Sequence, residues 1–136
     1  MRIDETSGIV LFQGNAVLTY KDWQRETAAA IAASSGRIRR VLSDRRGTTA
    51  DHDPGIAEGA AEFIRAHAKE LENARWAILT TADSAAHQTA KAAEGLLETS
   101  QVLAKVFVEL AAALRWLLGV YEDEEIRRLK EWVDSS

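Results

Sequence analysis

The sequence predicts an α/β fold: a mixed sheet of about five strands with packed helices, an N-terminal hairpin and a C-terminal helical extension. Three observations carry that prediction. Short β-branched and aromatic runs alternate along the chain with segments whose apolar residues recur every three or four positions. The runs are apolar throughout rather than strictly alternating, the pattern of strands covered on both faces. From residue 38 onward, each run is separated from the next by a helical segment, as parallel pairing requires.

Ile9-Val10-Leu11-Phe12 lies between Ser7-Gly8 and Gly14-Asn15, so turn residues frame a buried strand, and residues 2–5 are expected to pair with it as a hairpin. Across residues 20–34, Trp23, Thr27, Ala30 and Ile31 share one helical stripe, with Thr19 as cap and Ser35-Gly36 as stop. Ile38, Val41 and Leu42 mark a strand over 38–43 that ends in the charged corner Asp44-Arg45-Arg46-Gly47. Asp53-Pro54 opens a long helix, because aspartate is a favoured cap and proline is tolerated at the first helical position. Its apolar stripe is Ile56, Ala60, Phe63, Ile64, His67 and Leu71, which leaves Glu58, Glu62, Arg65, Lys69 and Glu70 to water. Residues 76–81 form the next strand, and Asp83-Ser84 caps a helix whose stripe of Ala86, Ala90, Ala93 and Leu97 permits close packing. A last strand spans 102–108, and Leu110, Leu114 and Leu117 mark a helix ending near Gly119. Beyond it, Glu122-Asp123-Glu124-Glu125 suits the electropositive start of a final helix, with Arg127, Arg128 and Lys130 placed later. Residues 1–119 are thus expected to form the domain and 120–136 an amphipathic extension.

At 136 residues, with 46% hydrophobic and 28% charged side chains, the chain fits one folded domain, which excludes two separate cores and wholesale disorder. The absence of cysteine excludes a disulfide framework, a thiolate metal site and a cysteine nucleophile, and a cytoplasmic location is expected. A net charge of -4 speaks against a general nucleic-acid binder. The one basic concentration, Arg37, Arg39, Arg40, Arg45 and Arg46, is divided between strand faces and lacks the interleaved aromatics that stack bases. No run is long and apolar enough to span a bilayer, and the first residues lack a signal peptide's apolar stretch. Gln13-Gly14-Asn15-Ala16-Val17 matches neither a dinucleotide fingerprint nor a P-loop, which counts against a flavodoxin-like alternative.

The element order, the Val41-Leu42-Ser43-Asp44-Arg45-Arg46-Gly47-Thr48-Thr49 strand and corner, the capped long helix, and Val106-Phe107-Val108-Glu109 followed by Ala113-Leu114-Arg115-Trp116-Leu117 resemble the SpoIIAA-like group. That group is related to STAS domains, the fold of anti-sigma-factor antagonists and sulfate-transporter tails. The resemblance covers roughly residues 1–119. Phosphorylatable members carry Asp-Ser-Ser-Gly at the start of the helix after the central strand, and the second serine is the acceptor. Here that stretch is His52-Asp53-Pro54-Gly55, with proline at the acceptor place, so the resemblance implies a non-phosphorylatable member. It implies the fold and a protein- or ligand-interaction role, without the kinase and phosphatase partner switch.

Ligands of open α/β sheets gather beyond the carboxyl ends of parallel strands, which places Asp44, Arg45, Arg46, Thr80, Thr81, Asp83, Ser84, His87 and Glu109 along one candidate edge. The paired arginines can bind a carboxylate, phosphate or lipid headgroup by fork geometry, or they can pair with Asp44, Asp51 or Asp53 and stiffen the corner. His87 with Thr80, Thr81 or Ser84 resembles a hydroxyl and base pair, though no nucleophile elbow accompanies it. Asp51-His52-Asp53 is read as a loop with a cap rather than a metal site, and no cofactor is expected. His67, on an apolar face, is read as a hydrogen-bonded core histidine rather than a general base. Trp23, Trp76, Trp116 and Trp132 stand in separate elements, as core or interface anchors do. In the tail, Ile126, Leu129, Trp132 and Val133 form an apolar face that either folds back or docks on a second subunit, and a homodimer is expected. The expected function is a non-enzymatic binding or regulatory module acting through protein interaction. A carrier of a small anionic or lipid-like ligand is the alternative, and an uncharacterised hydrolase the third reading.

Overall fold

The structure, a computed structural model, describes residues 1–14, 19–47, 56–82, 84, 85, 87, 88, 90, 91, 94, 102–119 and 122–135. The Asp53-Pro54 helix start, the Asp51-His52-Asp53 triplet, Asp83, Ala86, Ala93 and Leu97 lie outside the described residues.

Five strands, β1 (Arg2–Asp4), β2 (Ile9–Gln13), β3 (Arg40–Asp44), β4 (Arg75–Leu79) and β5 (Leu103–Phe107), lie side by side in chain order. β1 runs antiparallel to β2, with Ile3 opposite Val10, and the remaining pairs are parallel. Leu11, Leu42, Ala77 and Lys105 form one cross-strand row. The helices are α1 (Tyr20–Ala33), α2 (Ile56–Ala66), α3 (Ala68–Leu71), α4 (Leu110–Leu118) and α5 (Asp123–Asp134), and the described residues between 85 and 94 are helical as well. A mixed five-stranded α/β sheet with an N-terminal hairpin is therefore the architecture. Among the described residues no helix is long and apolar enough to cross a membrane.

The strand order dictates where the helices go. When parallel strands are added always in one direction, right-handed crossovers deliver every connecting helix to the same face. α1 and α2 accordingly pack on one side, where Val10, Phe12, Val41, Trp76 and Ala104 meet Trp23, Ala30, Phe63 and Ile64. Strand alternation turns Ile9, Leu11, Leu42, Ala77 and Leu79 to the other side, where no described residue of α1 or α2 packs. α4 and α5 fill that place with Leu110, Leu114, Leu117, Ile126, Leu129 and Val133. The segment read from sequence as an extension is thus packed as part of the second core.

Within the first core the Trp23 ring stacks on Trp76 at 5.7 Å and meets Phe63 edge-on at 5.4 Å. Gly59 of α2 faces the Tyr20 ring so closely that any Cβ would collide with it. Thr27 of α1 is fully buried, with no partner for its hydroxyl among the described residues. Thr27→Val keeps the branched shape and removes the orphan, so urea unfolding is expected to show a gain of about 1–2 kcal/mol. An unchanged midpoint would mean that the hydroxyl is satisfied.

Local chemistry sets most boundaries where the sequence expected them. Thr19 Oγ1 accepts from the Asp22 amide at 3.1 Å, and after α1 the amide of Gly36, in the left-handed region at φ 83°, donates to Ile31 O at 2.9 Å. The single helix expected through residue 71 is broken at His67. The His67 backbone leaves the helical region at φ -114° and ψ 36°, and Phe63 O accepts from both the His67 amide and its Nδ1 at 3.0 Å while the ring stacks on Phe63 at 4.0 Å.

The hairpin turn doubles as a latch. Asp4 Oδ2 accepts from Ser7 N at 2.9 Å and Ser7 Oγ at 2.6 Å, and Arg128 of α5 donates to both Asp4 oxygens at 2.9 and 3.0 Å. The Arg128 guanidinium therefore holds the Asp4 carboxyl well below the usual range, aided by Ser7 and opposed by burial. A depressed folded-state value means that the unfolded chain binds more protons, so this contribution is complete above about pH 5 and is lost as pH falls through and below the ordinary aspartate pKa of about 3.9. Thermal midpoints are expected to be flat near neutrality and to fall on the acid side, with a shallower acid limb in Asp4→Asn. An acid limb unchanged by that substitution would refute the latch.

Candidate functional site

β2 and β3 end side by side, Gln13 opposite Asp44, and the C-terminal end of α5 lies across them. The last carbonyls of a helix lack partners within it. Here Arg2 Nη1 donates to Trp132 O at 2.8 Å, Arg2 Nη2 to Val133 O at 3.2 Å and to Gln13 Oε1 at 2.8 Å, and Gln13 Nε2 to Val133 O at 2.8 Å. A guanidinium at this end also suits the negative pole of the helix, and its carbon lies 5.2 Å from the centre of the Trp132 ring.

Arg46 completes the cluster. Its Nε donates to Asp44 Oδ1 at 3.0 Å and its Nη2 to Oδ2 at 2.9 Å, a fork reinforced by the Arg46 backbone N–H at 3.2 Å and by Gln13 Nε2 at 3.2 Å. The same Nη2 donates to Asp134 Oδ1 at 3.0 Å. Burial works against ionisation of Asp44, but the hydrogen bonds from Arg46 and Gln13 outweigh it and hold its carboxyl below the usual range. The Asp44 hydrogen bonds raise Arg46, so this pair stays charged. The exposed Met1 adds an apolar rim over the buried Leu11 and Val133, and Arg2, Gln13, Asp44, Arg46 and Asp134 line the rest of an open groove of about 750 Å³.

Arg45 does not share the groove. Strand alternation sends its side chain to the opposite side, where it is buried, with Nε donating to Ser43 Oγ at 3.1 Å and Nη2 lying 3.5 Å from Glu26 of α1. Burial lowers its pKa and Glu26 opposes the shift. Of the carboxylates considered as partners for the two arginines, Asp44 takes Arg46, while Asp51 and Asp53 lie outside the described residues.

Further along the edge, Thr80 Oγ1 and His87 Nδ1 share a hydrogen bond of 2.7 Å. Ser84 caps the helical segment, its Oγ accepting from His87 N at 3.0 Å and donating to Thr81 O at 2.8 Å. Thr81 Oγ1 donates to Arg46 O at 3.3 Å, tying this corner to the groove. Thr80 is only 1% exposed, so its hydroxyl faces the imidazole rather than solvent. Hydroxyl and imidazole meet as the sequence suggested, in a buried setting that fastens the segment to β4.

In the tail, Ile126, Leu129 and Val133 are buried against α4 and the sheet, and Trp132 is half-buried. Of the two destinations open to this apolar face, the chain itself takes it. Sequence reasoning missed Arg2, Gln13 and Asp134. Asp134 carried a signal nonetheless, since a carboxylate in the last turn of a helix opposes the helix dipole unless a cation answers it. Compared with family models, curated proteins and solved structures, the chain matches none.

Proposed function

We propose that this chain is a non-enzymatic binding module whose site is the groove at the carboxyl ends of β2 and β3, and whose ligand is a small amphipathic carboxylate. One observation carries the reading: Arg46 is fixed by Asp44 along its Nε and Nη2 edge, while it lines an open groove that Met1 borders with an exposed apolar side chain. Arg2 and Arg46 are balanced there by Asp44 and Asp134, so a single negative charge is better accommodated than a phosphate dianion. Met1, exposed at the rim, offers adaptable apolar contact for a short acyl chain above the floor formed by the buried Leu11 and Val133. The 1% exposure of Thr80 supports a binding rather than a hydrolytic role for this edge. The mixed sheet and its hairpin support membership in the SpoIIAA-like group, which we propose on the sequence resemblance together with the strand order.

Titration calorimetry with sodium octanoate tests the reading. A Kd of about 1 mM is expected for ten heavy atoms at modest ligand efficiency. Arg46→Gln is expected to weaken binding at least tenfold while retaining a cooperative melt, and octanol is expected not to compete. Equal affinity in the variant would refute the groove as the site.

A further inference from the structure

We propose that Asp134 is a built-in competitor for this groove, its carboxylate standing where the ligand's carboxylate docks on Arg46. The inference rests on the binding reading above and adds its regulation. Asp44 is buried and takes Nε and Nη2 of Arg46 with both oxygens, so it fixes the plane of the guanidinium. Asp134 reaches the same group through one oxygen, on Nη2 at 3.0 Å, and its side chain is 54% exposed. Two features make that contact the replaceable one. It is a single-oxygen, solvent-screened pair, whereas an incoming carboxylate can take Nη1 and Nη2 together. It also stands in the last turn of α5, which holds no basic residue, so the helix dipole disfavours the charge that Arg46 attracts.

A free carboxylate docked there meets the same dipole but can engage Arg46 with both oxygens, where Asp134 uses one. On binding, one carboxylate leaves the guanidinium and another enters, the charge around Arg46 is unchanged and no proton moves. The Asp134 side chain is then released to solvent, while Arg2 and Gln13 keep the Trp132 and Val133 carbonyls and Val133 stays buried. Occupancy of the groove is thereby coupled to the end of the helix that borders it.

Amide-resolved NMR titration of the full chain with octanoate tests this in wild type, Asp134→Asn and Arg46→Gln. Removing a competitor held by one exposed ion pair is expected to tighten octanoate binding about three- to fivefold in Asp134→Asn. In octanoate-saturated wild type, the amides of Asp134 and Ser135 are expected to move toward their positions in ligand-free Asp134→Asn. Equal or weaker binding by Asp134→Asn, with binding lost in Arg46→Gln, would overturn the competitor and leave the groove reading standing. No binding by either wild type or Asp134→Asn would overturn both.

Discussion

Leu129→Ala is expected to lower folding stability by about 3 kcal/mol in urea unfolding, the cost of deleting a buried leucine and leaving a cavity. Leu129 is fully buried in the core formed by α4, α5 and the second sheet face, alongside Leu114, Leu117 and Leu42. The effect is expected to be this large because, among the described residues, α4 and α5 supply the helical side of that core. A chain ending at Gly119 makes the same point more severely. It loses Ile126, Leu129 and Val133, exposes the residues they cover on β2 and β3, and is expected to self-associate, since monomers rarely present so continuous an apolar face. The full chain is expected to be a monomer by light scattering, because association through Ile126, Leu129, Trp132 and Val133 requires α5 to leave the sheet. A truncated chain that stays monomeric and stable would make α5 the appendage that the sequence suggested.

Asp44→Ala is expected to cost about 2–3 kcal/mol, on the scale of a buried acceptor of charged hydrogen bonds, and to abolish octanoate binding. Asp44 accepts from the Arg46 backbone and side chain and from Gln13, so its removal frees the guanidinium from its fork and removes the side-chain link from β3 to Gln13 of β2. Asp44→Asn keeps an acceptor and loses the charge. It is expected to melt closer to wild type yet to bind octanoate weakly, because the guanidinium plane is no longer fixed. Urea unfolding and calorimetry on both variants separate the two contributions, and full binding by Asp44→Ala would remove Asp44 from the site.

The layers of this fold were legible because local rules produce them. Apolar runs bounded by glycine, helical stripes three and four residues apart, and caps at Thr19, Ser84 and Gly119 are set by neighbours along the chain. The Ser84 cap also fixes the helical phase that brings His87 onto Thr80, one of the three hydroxyls the sequence offered it. The groove was not legible in the same way. Its members Arg2, Gln13, Arg46 and Asp134 come from distant stretches of chain, and they meet only because α5 covers the face that α1 and α2 leave bare. Arg45 and Arg46 read as a pair in sequence, yet strand alternation at the end of β3 sends one into the first core and the other to the groove. The break at His67 was hidden because the stripe continues through it, and it shows only in the backbone, which leaves the helical region at that residue.

Where octanoate lands on the molecule is the most direct test. Amide shift perturbations on the ¹⁵N-labelled full chain are expected to concentrate at Gln13, Gly14, Arg46, Gly47 and Asp134. Perturbations confined to Thr80, Thr81 and His87, or to β5, would contradict the assignment of the binding site to the β2 and β3 groove.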